Sequence, residues 1–384
     1  MQAFCFNSVP SITVEWGGAR HLGEFIDRYY DGRRVLIVTD ESLHKSGILE
    51  PAKISLENNG FKVVVFDQVV TNPTEIMALD CANKARAAGV NIVIGFGGGS
   101  SMDVAKITAV LLASDQKLKD IYGQDNITSK RLPLVQIPTT AGPGSEATNV
   151  SVLTVGAATR MGVVAQQLFA DRVLLDGELT IGLARDQTAA TGIDAMVHAI
   201  EAYTGKIKKN PVSDAFACEG LKLLADNIVS AYEDGNNKDA REAMLLGAHM
   251  AGQAFANSPV GAVHALAHPL CGHYHLPHSL ANTLMLVPVL RFNQQATEKY
   301  YAQLANILGV GGQQTIAQQS EAFITFIDTI MQRTGVPRHL ADVGVAYDSL
   351  PVLATDAVKQ TRLLVNNPIN VTEADALELY RQAY

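Results

Sequence analysis

Cysteine is scarce in this chain. Its four residues, Cys5, Cys81, Cys218 and Cys271, lie far apart and form no CxxC pair. That spacing excludes a closed thiolate metal site and offers no disulfide framework, so reduced thiols in a cytosolic protein are expected. Positive charge is short as well: 30 Lys and Arg against 38 Asp and Glu leave a net charge of −8, and no basic run stands out. Nucleic acid and anionic membrane are therefore excluded as main partners. No apolar run approaches the roughly 18 residues that span a bilayer. The opening MQAFCFNSVPSITVEWGG lacks a basic segment followed by an apolar one, so no secretory signal is read and a cytoplasmic location is expected. What the chain does have is apolar mass, 47% of 384 residues, which suits two buried cores.

Two textures follow one another. RRVLIVTD (33–40), FKVVVFD (61–67), VNIVIGFGGGS (90–100) and RLPLVQIPTT (131–140) are strand-like runs, separated by helical stretches such as EIMALDCANKARAAG. Continuous Val/Ile runs alternating with helices predict a parallel sheet covered on both faces. Beyond about residue 180 the strand signal fades. ARDQTAATGIDAMVHAIEAYT, VSDAFACEGLKLLADNIVSAYED, KDAREAMLLGAHMAGQAFAN and QSEAFITFIDTIMQRTG carry apolar residues at helical spacing. Thr372 is the expected N-cap of a last helix in TEADALELYRQAY. The expected organisation is an α/β dinucleotide-binding domain over 1–180 and an all-α catalytic domain over 181–384.

GFGGGSSMDVAK (95–106) follows a strong strand and opens a strong helix. Glycines admit close backbone approach, and a helix start presents free N–H groups, so Gly98, Gly99 and Ser100 are candidates for a pyrophosphate site. The plain alternative is a tight turn after a strand. IPTTAGPGSEAT (137–148) is a second small-residue loop, where Thr139, Thr140 and Ser145 offer hydroxyls. Asp40 ends the first strand. A carboxylate there accepts from both ribose hydroxyls and repels a 2′-phosphate, favouring NAD over NADP, although it also suits a helix N-cap.

The chain holds ten histidines, and five of them, His264, His268, His273, His275 and His278, fall within GAVHALAHPLCGHYHLPHS (261–279). TGIDAMVHAIEAYTG (191–205) places Asp194 and His198 four apart, on one face of a helix. Such a pair can chelate a divalent metal or form a local acid–imidazole contact. His264 and His268 repeat the spacing, Pro269 interrupts the pattern, and the last three histidines are expected in a loop. Together the two segments point to a mononuclear metal site, but spacing does not choose its ligands.

GGGSSMDVAK, IPTTAGPGSE, TGIDAMVHAIEAYTG and GAVHALAHPLCGHYHLPHSLAN, in this order, resemble the iron-dependent (group III) alcohol dehydrogenases, and the match extends from VLIVTD to LLVNNP. The resemblance implies a dehydroquinate synthase-like fold: a Rossmann-type N-terminal domain, a helical C-terminal domain and an active site in the cleft between them. It implies Asp194, His198, His264 and His278 as metal ligands, and His268 as a residue lining the site near the nicotinamide. On the cofactor side it implies Asp40, Asn72, the segment Gly98–Asp103, Thr139, Thr140, Asn149 and Arg160. Relatives commonly form dimers or larger homo-oligomers. Several positions depart from the family pattern: Pro143 for Thr, Arg160 for Lys, Cys271 and Ser279 for glycines, and Ile369 for Arg after Asn367–Pro368. None of them is a ligand position.

The expected chemistry is oxidation of a small primary alcohol, or reduction of its aldehyde, with NAD(H). Fe2+ would act as a Lewis acid on the substrate oxygen, with Zn2+ also suited to these donors. His268 is a candidate for relaying the proton or orienting substrate, with cleft wall as its alternative. His273 and His275 are assigned to the loop surface or to substrate contact, and Cys271 has no assigned role. Three rivals differ in observable ways. A same-fold polyol dehydrogenase or cyclising synthase lacks the full four-ligand signature. A hydroxyacid–oxoacid transhydrogenase turns over without added NAD. A nucleotide- or metal-sensing protein binds NADH without turnover.

Overall fold

The computed structural model describes residues 3–156 and 159–384. They divide into two compact units, one made of Asn7–Thr140 and Gly144–Gly182. The other comprises the segment ending at Phe6, Ala141–Pro143 and Leu183–Tyr384.

The described residues of the first unit form nine strands: β1 (Ile12–Val14), β2 (Arg34–Asp40), β3 (Lys62–Val69), β4 (Ile92–Gly97), β5 (Gly123–Gln124), β6 (Leu134–Pro138), β7 (Val150–Val155), β8 (Thr159–Val164) and β9 (Arg172–Leu175). Six of them form one sheet in the order β1-β9-β6-β4-β2-β3, and every pairing in it is parallel. Val35, Ile37, Ile92, Ile94, Val135 and Ile137 pack on one face against Leu22, Ile26, Leu49 and Leu56. Helices Glu75–Ala87 and Gly99–Leu112 follow β3 and β4. A parallel sheet buried on both faces favours apolar residues along the strands, which explains the Val/Leu/Ile runs of β2 and β4 and the mostly apolar β6, where the buried Gln136 donates to Met102 O. The edge strand β1 and its neighbour β9 are three and four residues long, too short for a periodic signal. The small sheet β5-β8-β7 also escaped the sequence reading. Its β7–β8 hairpin is antiparallel, and the burial along β7 alternates.

From β2 the chain moves out to β3 on one side, then to β4, β6 and β9 on the other. The direction reverses between β2 and β4. At such a reversal, ligands bind outside the carboxyl ends of the strands. Asp40 ends β2 and Gly97 ends β4, so both lie at these carboxyl ends.

The second unit is helical, with no strand among its described residues. Its long helices are Arg185–Thr204, Pro211–Glu233, Lys238–Asn257, Ala262–Tyr274, His278–Ile307 and Ile316–Arg333. Every residue from Gly192 to Thr204 is buried. Gly192 permits this: a Cβ there would lie 2.5 Å from the Met244 side chain and 2.9 Å from that of Ile228. Thr372 caps Glu373–Ala383 as expected, its hydroxyl accepting from Asp375 N. No described helix is long and apolar enough to cross a membrane.

One local expectation is corrected. Pro269 does not end its helix, which runs from Ala262 to Tyr274 and includes His273. Proline removes one backbone donor, but the six consecutive buried residues Ala262 to Ala267, with Pro269 and Leu270 buried beyond the half-buried His268, hold the segment helical through packing. The turn comes later, at His275, in the left-handed region with φ 54°. His278 is then the first residue of His278–Ile307 and not a loop residue.

Candidate metal centre and nucleotide loops

Three helices of the second unit supply one cluster. Asp194 and His198 project from Arg185–Thr204, His264 from Ala262–Tyr274, and His278 from the first position of His278–Ile307. One donor atom from each lies within 4.8 Å of the other three. His264 Nε2 and His198 Nε2 are 3.0 Å apart. One carboxylate and three imidazoles are borderline donors that suit Fe2+ or Zn2+. The residues therefore fit a mononuclear metal.

The electrostatics agree with that use. Burial pushes His198 down to about 4, so its ring is neutral and offers a lone pair at neutral pH. Burial opposes ionisation of Asp194, but the facing imidazoles His198, His278 and His264 outweigh it and hold the carboxyl below its ordinary range. Ser279 Oγ donates to Asp194 Oδ2 at 3.0 Å and Asn282 Nδ2 to Oδ1 at 2.6 Å. The same amide nitrogen is 3.2 Å from both His264 Nε2 and His278 Nε2. Ser279 thus departs from the family pattern in direct contact with a ligand side chain. The Phe255 ring stacks on His198, with centroids 4.4 Å apart.

The other three histidines separate. His268 stands near the cluster, its ring centroid 6.1 Å from that of His278, with Nδ1 3.3 Å from Gln360 Oε1. His273 points away and pairs with Asp356 at 2.7 Å on the surface. His275 makes the helix turn. No role emerges for Cys271, buried on the same helix. Sequence reading missed Glu201, Asn282 and Gln360. Glu201 and Asn282 had a signal, since each lies one helical turn beyond a ligand (His198-x2-Glu201 and His278-x3-Asn282). Gln360 is distant in sequence and had none.

In the first unit, Gly98 caps Gly99–Leu112 without a side chain, so the first N–H groups of that helix have no intrahelical acceptor. A Cβ on Gly98 would meet nothing closer than Thr140 at 3.9 Å. Thr139 N donates to Gly97 O at 3.1 Å, placing the Thr139–Thr140 pair next to that helix start. Asp40 does cap a helix, accepting from Leu43 N through Oδ1 at 2.9 Å. A carboxylate retains further lone pairs for a second donor. Asn72 is in the left-handed region with φ 58°, and its carbonyl accepts from Thr154 Oγ1 at 3.2 Å. Asn149 O accepts from Ala165 N. Arg160, on β8, has a buried Nη1 with no hydrogen-bond partner.

Asp103 has a different setting. Its oxygens accept from Ser145 Oγ at 2.6 Å and Val152 N at 2.9 Å. Lys106, fully buried, donates to Ser145 Oγ, Thr148 Oγ1 and Val150 O at 3.1, 3.1 and 2.7 Å. Asp103 and Ser145 thus belong to a buried frame joining the phosphate-type helix to the loop that leads into β7.

A Rossmann-type parallel sheet, with a helical unit carrying one carboxylate and three imidazoles, defines a metal-dependent oxidoreductase. The comparisons narrow the class. Residues 10–177 match iron-containing alcohol dehydrogenase, and 188–384 match the Fe-containing alcohol dehydrogenase family, C-terminal. The chain is 35% identical over 381 residues to long-chain-alcohol dehydrogenase 1 of Geobacillus thermodenitrificans, covering 98% of this chain and 95% of that one. It is similar to a crystal structure of 1,3-propanediol oxidoreductase (TM-score 0.96, 32% identity, 100% of both chains). It is also similar to sulfoacetaldehyde reductase from Bifidobacterium kashiwanohense in complex with NAD+ (TM-score 0.89, 27% identity, 100% of this chain and 99% of that one). The chain belongs to the iron-containing alcohol dehydrogenase family, as the resemblance implied, and is an alcohol dehydrogenase.

Proposed function

We propose that this enzyme interconverts small primary alcohols and aldehydes with NAD(H), using Fe2+ held by Asp194, His198, His264 and His278. The convergence of those four donors within 4.8 Å carries the reading. Bound there, Fe2+ (or Zn2+) supplies a Lewis acid that lowers the pKa of a substrate hydroxyl. The chain's own residues prepare for this. Burial keeps His198 a neutral donor, and Ser279 and Asn282 hold the two oxygens of Asp194. Residues 181–384 carry this chemistry and 1–180 bind the dinucleotide. The decisive experiment is a panel of alcohols and aldehydes followed by NADH absorbance, on protein stripped of metal and reloaded with Fe2+ or Zn2+. Turnover is expected after reloading alone; NADH binding without turnover on any substrate would leave a sensor in its place.

His268 orients the substrate or passes the hydroxyl proton. His268→Ala is therefore expected to retain its metal while turnover falls about 10²–10⁴-fold, the usual range for a lost acid–base group. Metal analysis and NADH kinetics check this, and loss of metal would make His268 a ligand.

For the cofactor we assign Asp40, Asn72, Gly98, Gly99, Ser100, Asp103, Thr139, Thr140, Asn149 and Arg160. The sheet reversal and the open helix start at Gly98 support this, and the unpartnered Arg160 Nη1 suits an anionic oxygen. Asp103 acts through the loop it braces. Asp40→Gly should shift the NAD/NADP preference by about 10–100-fold towards NADP, the worth of one or two hydrogen bonds to a charged group. Comparing kcat/KM for the two cofactors tests it, and an unchanged ratio removes Asp40 from the site. We also assign a cytoplasmic location, on the four scattered free thiols, and a homodimer or larger assembly, which light scattering would contradict by finding a monomer.

A further inference from the structure

Glu201 is a buried carboxylate outside the ligand set. It lies one turn beyond His198 on Arg185–Thr204, and its side chain meets the start of Ala262–Tyr274. Oε1 accepts from Val263 N at 2.7 Å, and Oε2 accepts from His264 Nδ1 at 2.7 Å. The side chains of Glu201 and His264 are 8% and 5% exposed. An ionised carboxylate has no proton to give, so Nδ1 is the donor and a neutral ring leaves Nε2 bare. Nε2 is the atom that faces His198 Nε2 at 3.0 Å.

The backbone ahead of His264 is braced separately. Asn366 Nδ2 donates to Val260 O at 3.1 Å, and Asn367 exchanges two amide hydrogen bonds with Asn293, at 2.9 and 2.8 Å. Gly261 packs so closely on Asn367 that a Cβ there would lie 3.3 Å from Oδ1. These asparagines place the helix, whereas Glu201 touches the imidazole.

We propose that Glu201 is a positioning residue for the metal centre: by taking the Nδ1 proton of His264 and the N–H of Val263, it sets the tautomer and ring orientation that present Nε2 to the ion. The inference rests on His264 being a ligand, as read above. Two donors on one buried carboxylate hold the ring firmly, because turning it away would leave charge unpartnered out of water. Outer partners of ligating histidines tune metal affinity about 10–100-fold.

Glu201→Gln keeps the shape but replaces one acceptor with an amide NH2. With its oxygen still on Val263 N, the amide faces Nδ1 and drives the ring proton to Nε2, where the ion would bind. We expect Zn2+ and Co2+ affinities about 10–100-fold weaker, measured by competition with a chromogenic chelator, and an altered visible spectrum with Co2+. A second measurement needs no variant at Glu201. 15N-histidine NMR of the metal-free wild type, with His264 assigned by its loss in His264→Ala, should show the Nδ1–H tautomer. Wild-type affinity in Glu201→Gln, or an Nε2–H tautomer in the wild type, overturns the positioning role. If the wild type itself captures no metal, or His264→Ala captures it equally well, the ligand assignment fails first and the inference falls with it.

Discussion

His264→Ala is expected to lose both its metal and its turnover. His264 bridges the two halves of the cluster, 3.0 Å from His198 Nε2 and sharing the Asn282 amide with His278. Its removal leaves three donors and strands Glu201, whose Oε2 it partners. A Lewis acid contributes several kcal/mol to such a reaction, so turnover should fall about 10³-fold or more. Metal analysis of the purified variant and NADH kinetics give the two readings. Retained activity with one metal per chain would sink the ligand assignment. His273→Ala, nine residues on, is the control. His273 sits on the surface against Asp356, and an exposed pair contributes at most about 1 kcal/mol, so metal and turnover should both survive.

The second large effect is expected in the other unit. Lys106→Met keeps length and removes the ammonium from a fully buried site. The loss leaves Val150 O, Ser145 and Thr148 without this donor, and Asp103, 4.0 Å away, without its main counter-charge. Burial lowers Lys106 to about 8, so at neutral pH it is largely protonated and the pair is ionic. Breaking a buried pair from one side costs about 3–5 kcal/mol; Asp103 is partly exposed, so about 3 is the better expectation. Denaturant unfolding measures it. NAD binding should weaken too, because the frame joins the helix start at Gly99 to the loop carrying Asn149. A stability change below about 0.5 kcal/mol would show that the frame is dispensable.

Some features were legible because their causes are local. β2, β4 and β6 follow from their Val/Leu/Ile-rich runs, and the turn at Gly97–Gly98 from its glycines. Gly97 itself has φ 151°, a conformation rarely adopted by L side chains. Asp194 and His198 share a face because 3.6 residues make a turn. Features whose causes are distant were misread or missed. Pro269 reads as a break, since proline lacks a donor, yet packing carried the helix on to Tyr274. The Lys106 network that joins Ser145 and Asp103 was missed, because its members lie 39 to 44 residues apart. Gln360 meets His268 across 92 residues of sequence.

By itself the sequence determined the parallel α/β half, the helical half, the glycine-opened helix start and the family, because periodicity, turn chemistry and motif order are written residue by residue. Tertiary structure decided which imidazoles converge. His198 and His264 are 66 residues apart, on separate helices that meet through their buried faces. It also decided the proton on His264, set by a carboxylate from another helix. Such contacts depend on the packing of whole elements, and no spacing along the chain encodes them.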